Sequence, residues 1–169
     1  MSELKLYNAV KDQMKTGDLL LWKTYGIVGG AIQHFTKSKY SHASLVLRLV
    51  EYEGTVEMRR FTTEATRHGV GINMLSRRLA RQDGLCWWFP LIDSWDEKRK
   101  SIGEIALSYL NYPYDYKGVI RWLFQTVSVD GEALFCSELC YMAYGFKGNA
   151  PAPDDLLDLN IFKEGVPIL

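Results

Sequence analysis

Three side chains of this sequence, the thiol of Cys136, the imidazole of His42 and the carboxylate of Glu64, could together carry out nucleophilic acyl chemistry. Attack on an acyl carbon needs a deprotonated sulfur, a base that returns its proton to the leaving group, and a third group that fixes the imidazole tautomer. Cys136 opens a short helical pattern in which Leu139, Cys140 and Ala143 fall on its own face, and Gly145 is placed to end the helix at C′. A cysteine in a first helical turn lies among unpaired N–H groups at the positive end of the dipole, which favours thiolate over thiol. Such a position, with a cationic neighbour, brings a thiol from about 8.5 into the range of roughly 3.5–7.5. Glu138 in the same turn suits the helix but works against the thiolate. The plainer reading of Cys136 is a small buried hydrophobe.

His42 must come from another element. Tyr40 to Leu49 alternates, with Ala43, Leu45, Leu47 and Leu49 on one face and His42, Ser44, Val46 and Arg48 on the other, as in a strand. Glu51-Tyr52-Glu53-Gly54 reads as a turn and Thr55 to Thr66 as a second β-rich run. A hairpin folded about Glu53 sets Glu64 directly opposite His42. There the carboxylate would accept the imidazole N–H on the side away from sulfur. Backbone N–H groups at the helix start, that of Cys136 included, would bind an oxyanion. Each residue also has a plain role: His42 as a structural or surface histidine, Glu64 as a solvated hairpin carboxylate. His34 and His68 are rival bases, and Cys136 and Cys140 with a histidine form a weak zinc pattern, with no CxxC pair elsewhere. Cys140, one turn on, and Cys86, in an apolar run, read as core.

The composition sets outer bounds. The chain has 169 residues, the size of a single domain spanning 1–169 that can bury a core without disulfides or metals. Formal charge is zero, so no nucleic-acid partner is expected. Apolar runs are far shorter than a membrane span, so no stable membrane insertion is expected. Met1 to Tyr7 carries charges and precedes no apolar core region, so no signal peptide and a cytoplasmic location are expected. Three cysteines without framework spacing fit a reducing compartment.

The remaining elements must hold the three groups together. Residues 2–14 read as an amphipathic helix capped by Ser2, with Leu6, Val10 and Met14 along one stripe. Thr16-Gly17-Asp18 turns into Leu19-Leu20-Leu21-Trp22, a strand buried on both faces. Residues 27–36 suit a helix weakened by Gly29-Gly30. Asn73 to Gln82 suits a basic helix, with His68 before it in a loop, and Leu85 to Leu91 an apolar strand. Ser94-Trp95-Asp96-Glu97 has the form of a capping box ahead of a helix reaching Asn111. Tyr112-Pro113-Tyr114-Asp115-Tyr116 is an aromatic loop, Gly118 to Val127 a helix, and Asp130-Gly131 a turn. Residues 149–155 form a loop, followed by a last short helix or strand toward Leu169.

Gly17-Asp18-Leu19-Leu20-Leu21, Tyr40-Ser41-His42-Ala43-Ser44-Leu45-Val46, Tyr112-Pro113-Tyr114-Asp115-Tyr116 and Phe135-Cys136-Ser137-Glu138-Leu139 occur in that order. In this they resemble the circularly permuted NlpC-type papain-like proteins, the YiiX-like group. The resemblance covers most of the chain, and Asp154-Asp155-Leu156 is similar to the family's tail. It implies an α+β fold with a small antiparallel sheet or barrel packed against the cysteine helix. It further implies Cys136 as nucleophile, His42 as base and a polar third residue on the next strand, where Glu64 matches best; no metal or cofactor is expected. The implied activity is a cysteine hydrolase that cleaves an amide or isopeptide bond through a thioacyl intermediate, with cell-wall-derived peptides as one substrate class. Two alternatives stand beside it: thiol chemistry on acyl lipids or thioesters, as in relatives resembling lecithin retinol acyltransferase, and a non-catalytic binding module. Either enzyme implies a peptide or acyl-bearing small-molecule partner. Trp87, Trp88, Tyr114 and Tyr116 could line its cleft, or the tryptophans could belong to the core. Family members acting on cell walls are often exported, so an extracellular wall substrate would need release by lysis, a phage or a secretion apparatus.

Overall fold

The computed structural model describes residues 4–25, 38–49, 59–113, 135–149 and 151–169. The helices expected over 27–36 and 118–127, the turns at 51–54 and 130–131, the Ser2 cap, His34, Tyr114 and Tyr116 lie outside them.

Among the described residues, six strands form one open antiparallel sheet: β1 (Leu19–Thr24), β2 (His42–Leu47), β3 (Phe61–Thr66), β4 (Gly69–Met74), β5 (Gly84–Phe89) and β6 (Val166–Pro167), in the order β4-β3-β2-β1-β5-β6. The described helices are α1 (Lys5–Val10), α2 (Leu75–Ala80), α3 (Arg99–Ser108) and α4 (Cys136–Ala143). The architecture is α+β, and of the sheet and the barrel expected from the sequence it is the sheet that forms.

β1 shows why the sheet is covered on both sides. Leu19 and Leu21 enter one core with Ala43, Leu45, Ile102, Ala106, Cys140 and Ala143, which is the side of α3 and α4. Leu20 and Trp22 enter a second core with Tyr7, Met14, Leu75, Leu79 and Trp88, the side of α1 and α2. All four β1 side chains are fully buried, as a continuous apolar strand requires. Asp18, just before β1, ties the two ends of this layer. Its carboxylate accepts from the Lys15 N–H (2.8 Å), Trp88 Nε1 (2.8 Å), the Leu91 N–H (3.1 Å) and Arg99 Nη1 (2.7 Å). Four donors, one of them charged, compensate the burial of this carboxylate.

Four expectations need correction. The first helix is shorter and turned: α1 gives way to a 3₁₀ turn at Lys11–Gln13, Tyr7 and Met14 are buried, and Leu6 is exposed. The segment read as loop and helix start is strand β4, paired with β3 across a two-residue Arg67-His68 turn; α2 begins only at Leu75. Two glycines made this strand hard to see. Gly69 is required there, because at φ +93° a Cβ would lie 2.6 Å from the Tyr112 carbonyl oxygen. Ser94 caps nothing: Asp93–Lys98 is a 3₁₀ turn that leads directly into α3. The fourth concerns register. β2 and β3 pair as Leu45↔Thr63, Val46↔Thr62 and Leu47↔Phe61, so the ladder is centred one residue later than Glu53. Continued, it sets Ser44, not His42, opposite Glu64. A two-residue slip leaves every side chain on its expected face.

α4 ends as its sequence indicates. Gly145 adopts φ +86°, its N–H bonds the Met142 carbonyl (2.9 Å), and the Phe146 N–H bonds the Tyr141 carbonyl (3.2 Å). These are the two bonds of a Schellman motif, and Tyr141 stacks on Phe146 to close it.

Candidate active site

β2 carries His42 at its first position and β3 carries Glu64 in its middle. The β2–β3 ladder stops at Leu45↔Thr63, while β3 stays paired with β4 as far as Thr66↔Gly69. The two strands therefore part where His42 and Glu64 lie, two positions apart along the same face. His42 Nε2 and Glu64 Oε2 are 2.8 Å apart across that opening. α4 packs on the other face of β2 and β3, and its first residue reaches the end of β2, where the Cys136 sulfur lies close enough to the His42 ring and the Ala43 and Ser137 N–H groups to feel their charge and dipoles. Since Nε2 serves Glu64, Nδ1 is the ring nitrogen left for sulfur. The imidazole thus sits between thiol and carboxylate.

Electrostatics follow from this geometry. Burial disfavours the charged imidazole, but the charge and hydrogen bond of Cys136 and then those of Glu64 outweigh it and raise His42 to about 9. Burial likewise opposes the Cys136 thiolate, but the His42 charge and hydrogen bond, with the Ala43 and Ser137 N–H groups, bring it below the ordinary thiol value. Burial also works against Glu64, yet the hydrogen bond and charge of His42, joined by Arg78, lower it to about 2. The direction at all three groups is toward a thiolate–imidazolium pair backed by a carboxylate. Cys86 and Cys140 behave oppositely: burial pushes both thiols well up, as expected of core cysteines.

Glu64 has further partners that sequence reasoning missed. Asn73 Nδ2 donates to Oε1 (3.1 Å), and Arg78 Nε donates to Oε1 (3.0 Å) and Oε2 (3.3 Å). Glu64 is not a solvated hairpin carboxylate; it is fully buried. The available signal was a basic residue in a run read as helical, but nothing local says which strand that helix covers. His68 is exposed and bonded to Arg67. Trp88 is core, its indole held by Asp18, while Trp87 is half-buried, edge-on to Tyr40 at 5.3 Å. The Asp154-Asp155-Leu156 tail opens the 3₁₀ turn Asp155–Leu159, with Asp154 at its N-cap position; Asp154 accepts from the Lys39 N–H (2.9 Å) and Leu156 enters the α4-side core.

Among solved structures, the chain is similar to the metalloprotein YiiX of Escherichia coli O157:H7, a DUF1105 protein, with a TM-score of 0.62 over 78% of this chain. The fold is YiiX-like. At 22% identity the likeness is one of fold, and it covers 65% of the length of YiiX. No protein-family profile and no curated protein matches the chain. The metal in YiiX has no counterpart donor set among the described residues: no group of three or more His, Cys, Asp or Glu there is arranged to hold an ion. The oxygens of Glu64 are already occupied by His42, Asn73 and Arg78. Among the described residues of this YiiX-like fold, no helix is long and apolar enough to cross a membrane.

Proposed function

We propose that this chain is a cysteine hydrolase of the permuted papain-like, NlpC type, cleaving an amide or isopeptide bond with Cys136 as nucleophile, His42 as acid and base, and Glu64 as the group that orients the ring. The observation that carries the reading is the half-buried imidazole, 2.8 Å from Glu64 on one side and close enough to the helix-N-terminal sulfur on the other to be raised by its charge. A binding module would have no use for a buried charge pair that costs desolvation.

The chemistry balances on these groups. The Cys136 thiolate attacks the carbonyl carbon, and the oxyanion so formed is met by the Cys136 N–H, which at the first helical position has no intrahelical partner. Collapse breaks the C–N bond, with the imidazolium proton passing to the departing amine. Water then attacks the thioester, gives its proton to His42, and the acid leaves as the Cys136 thiolate returns. An imidazolium that holds its proton through neutral pH favours an amide over an ester, because an amine must be protonated as it leaves whereas an alkoxide is the easier departure.

The test is acyl-enzyme trapping. The chain is incubated with cell-wall-derived peptides, isopeptides and long-chain acyl esters, quenched in acid, and Cys136-containing peptides are weighed. An acyl adduct on Cys136 from amide substrates, absent in His42→Ala, supports the proposal. Adducts from acyl esters alone would move the substrate class to lipids. A Cys136 that alkylates with an ordinary thiol profile, indifferent to His42, would remove the basis for thiol catalysis.

A further inference from the structure

Arg78 is held more firmly than a surface cation of a short helix needs to be. Its Nε donates to both oxygens of Glu64, its Nη1 donates to Gln82 Oε1 one turn along, and its guanidinium lies 4.5 Å over the Trp22 ring. Gln82 is itself fixed, donating to Thr24 Oγ1 (3.0 Å) and to the Asp83 carbonyl (3.2 Å). A chain of contacts therefore runs from β1 through Gln82 and Arg78 to Glu64, His42 and Cys136.

We infer that Arg78 is a positioning residue for the Cys136–His42 pair, keeping Glu64 ionised and turned toward the imidazole so that the proton remains on His42. The inference rests on the proposed thiol chemistry and adds a residue on the far side of its carboxylate. Its physical basis is the location of Glu64. With no solvent exposure, that carboxylate has no water to stabilise its charge. Left with His42 alone, a buried acid beside an imidazolium can take the proton, and two neutral groups result. A guanidinium cannot release a proton and matches a carboxylate geometrically, so it removes that option.

Among the described residues, no other charge facing Glu64 does this. β2 offers His42 itself, and β4 offers Asn73, which is neutral. The Cys140 thiol of α4 and the Cys86 thiol of β5 feel the Glu64 charge but are kept protonated by burial. On α4, Glu138 accepts from the Phe135 N–H (3.4 Å), and on and after α2, Arg77 and Arg81 are exposed. Direction agrees with placement, since Arg78 is among the groups that lower Glu64.

The experiment follows iodoacetamide alkylation of Cys136 by peptide mass spectrometry, in the full chain, from acid to mildly basic pH. The variants are His42→Ala, Arg78→Met, Arg78→Lys and Gln82→Leu. In Arg78→Met, Glu64 titrates nearer its ordinary range, so the acid limb of Cys136 reactivity moves up by about one unit, about a tenfold loss of rate on that limb. Near pH 8, where Glu64 is ionised in either protein, the rates agree within about twofold. Arg78→Lys, which restores a cation, recovers most of the shift. If Arg78→Met does not fold, Gln82→Leu decides: releasing Nη1 moves the same limb in the same direction by a smaller step. An unmoved acid limb overturns the inference, as does a rate loss uniform across pH, which would mark Arg78 as packing alone. The His42→Ala arm separates the two readings. If wild type shows no low-pH advantage lost in that variant, the thiol chemistry itself fails; if it does and the Arg78 variants match wild type, only the role of Arg78 fails.

Discussion

Glu64→Gln keeps the volume of the side chain and removes its charge, and its effect on stability can be worked from the structure. The carboxylate is lowered from 4.5 to about 2 in the folded chain. Because the folded value lies below the unfolded one, the stabilisation is fully present above about pH 4.5 and is lost as pH falls through about 2. A gap of two to three units corresponds to roughly 3 kcal/mol, at about 1.4 kcal/mol per unit. Full burial means that solvent screening takes little from this figure. The assay is urea unfolding of wild type and Glu64→Gln near pH 6 and near pH 2.5. Wild type loses roughly 2–3 kcal/mol more than the variant between the two conditions, since a little of the stabilisation survives at pH 2.5, equivalent to a difference of roughly 4–12 °C in Tm for a chain of this size. Carboxylates common to both proteins cancel in that difference. Parallel pH profiles for the two proteins would refute the argument, because they would mean that Glu64 is not stabilised as a carboxylate by His42 and Arg78.

The other expectations are simpler. In Cys136→Ala the largest contribution raising His42 is gone, so its pKa falls from about 9; NMR titration of the ring C–H protons reads this directly, and an unchanged value would mean that the sulfur does not act on the ring. In the wild type, His42 contributes stability that is complete below about pH 6.5 and lost as pH rises through about 9, so unfolding midpoints decline on the basic side and do so less in His42→Ala. Asp18→Ala strips an acceptor from Trp88, Leu91, Lys15 and Arg99 together and costs about 3–5 kcal/mol in urea unfolding, since it leaves the Arg99 cation without its buried partner. Gly145→Ala has open space for its Cβ but not the backbone conformation, and destabilises by about 1 kcal/mol through the α4 terminus.

Elements whose signals are local could be read from sequence. β1 is a continuous apolar run, β2 alternates, and α4 announces its end with Gly145; each of these depends on residues within a few positions of one another. β4 and α2 could not be separated in the same way. Gly69 and Gly71 argue against a strand by propensity, yet Gly69 is there because the chain passes the Tyr112 carbonyl, a contact over forty positions away in sequence. The buried ties of Asp18 to Trp88 and Leu91 are equally non-local, so a residue that reads as a turn former is in fact the acceptor on which four donors converge.

The expected hairpin register is off by two, yet Glu64 and His42 still meet. Side chains on a strand alternate with a period of two, so a slip of two residues changes which residue is directly opposite but not which face a residue occupies. His42 and Glu64 became diagonal neighbours rather than opposed ones, and the parting of β2 from β3 beyond Leu45↔Thr63 let the pair close to 2.8 Å. A slip of one residue would not bring the two together on one face. It would have nominated Ala65, which packs with Leu139 of α4, or Thr63, on the face away from His42. Face parity, then, is the part of a hairpin prediction that a candidate site can rest on. Arg78 had no such support, because a helix carries no parity relation to the strand that it covers, and its contact with Glu64 is settled only when α2 is laid on the sheet.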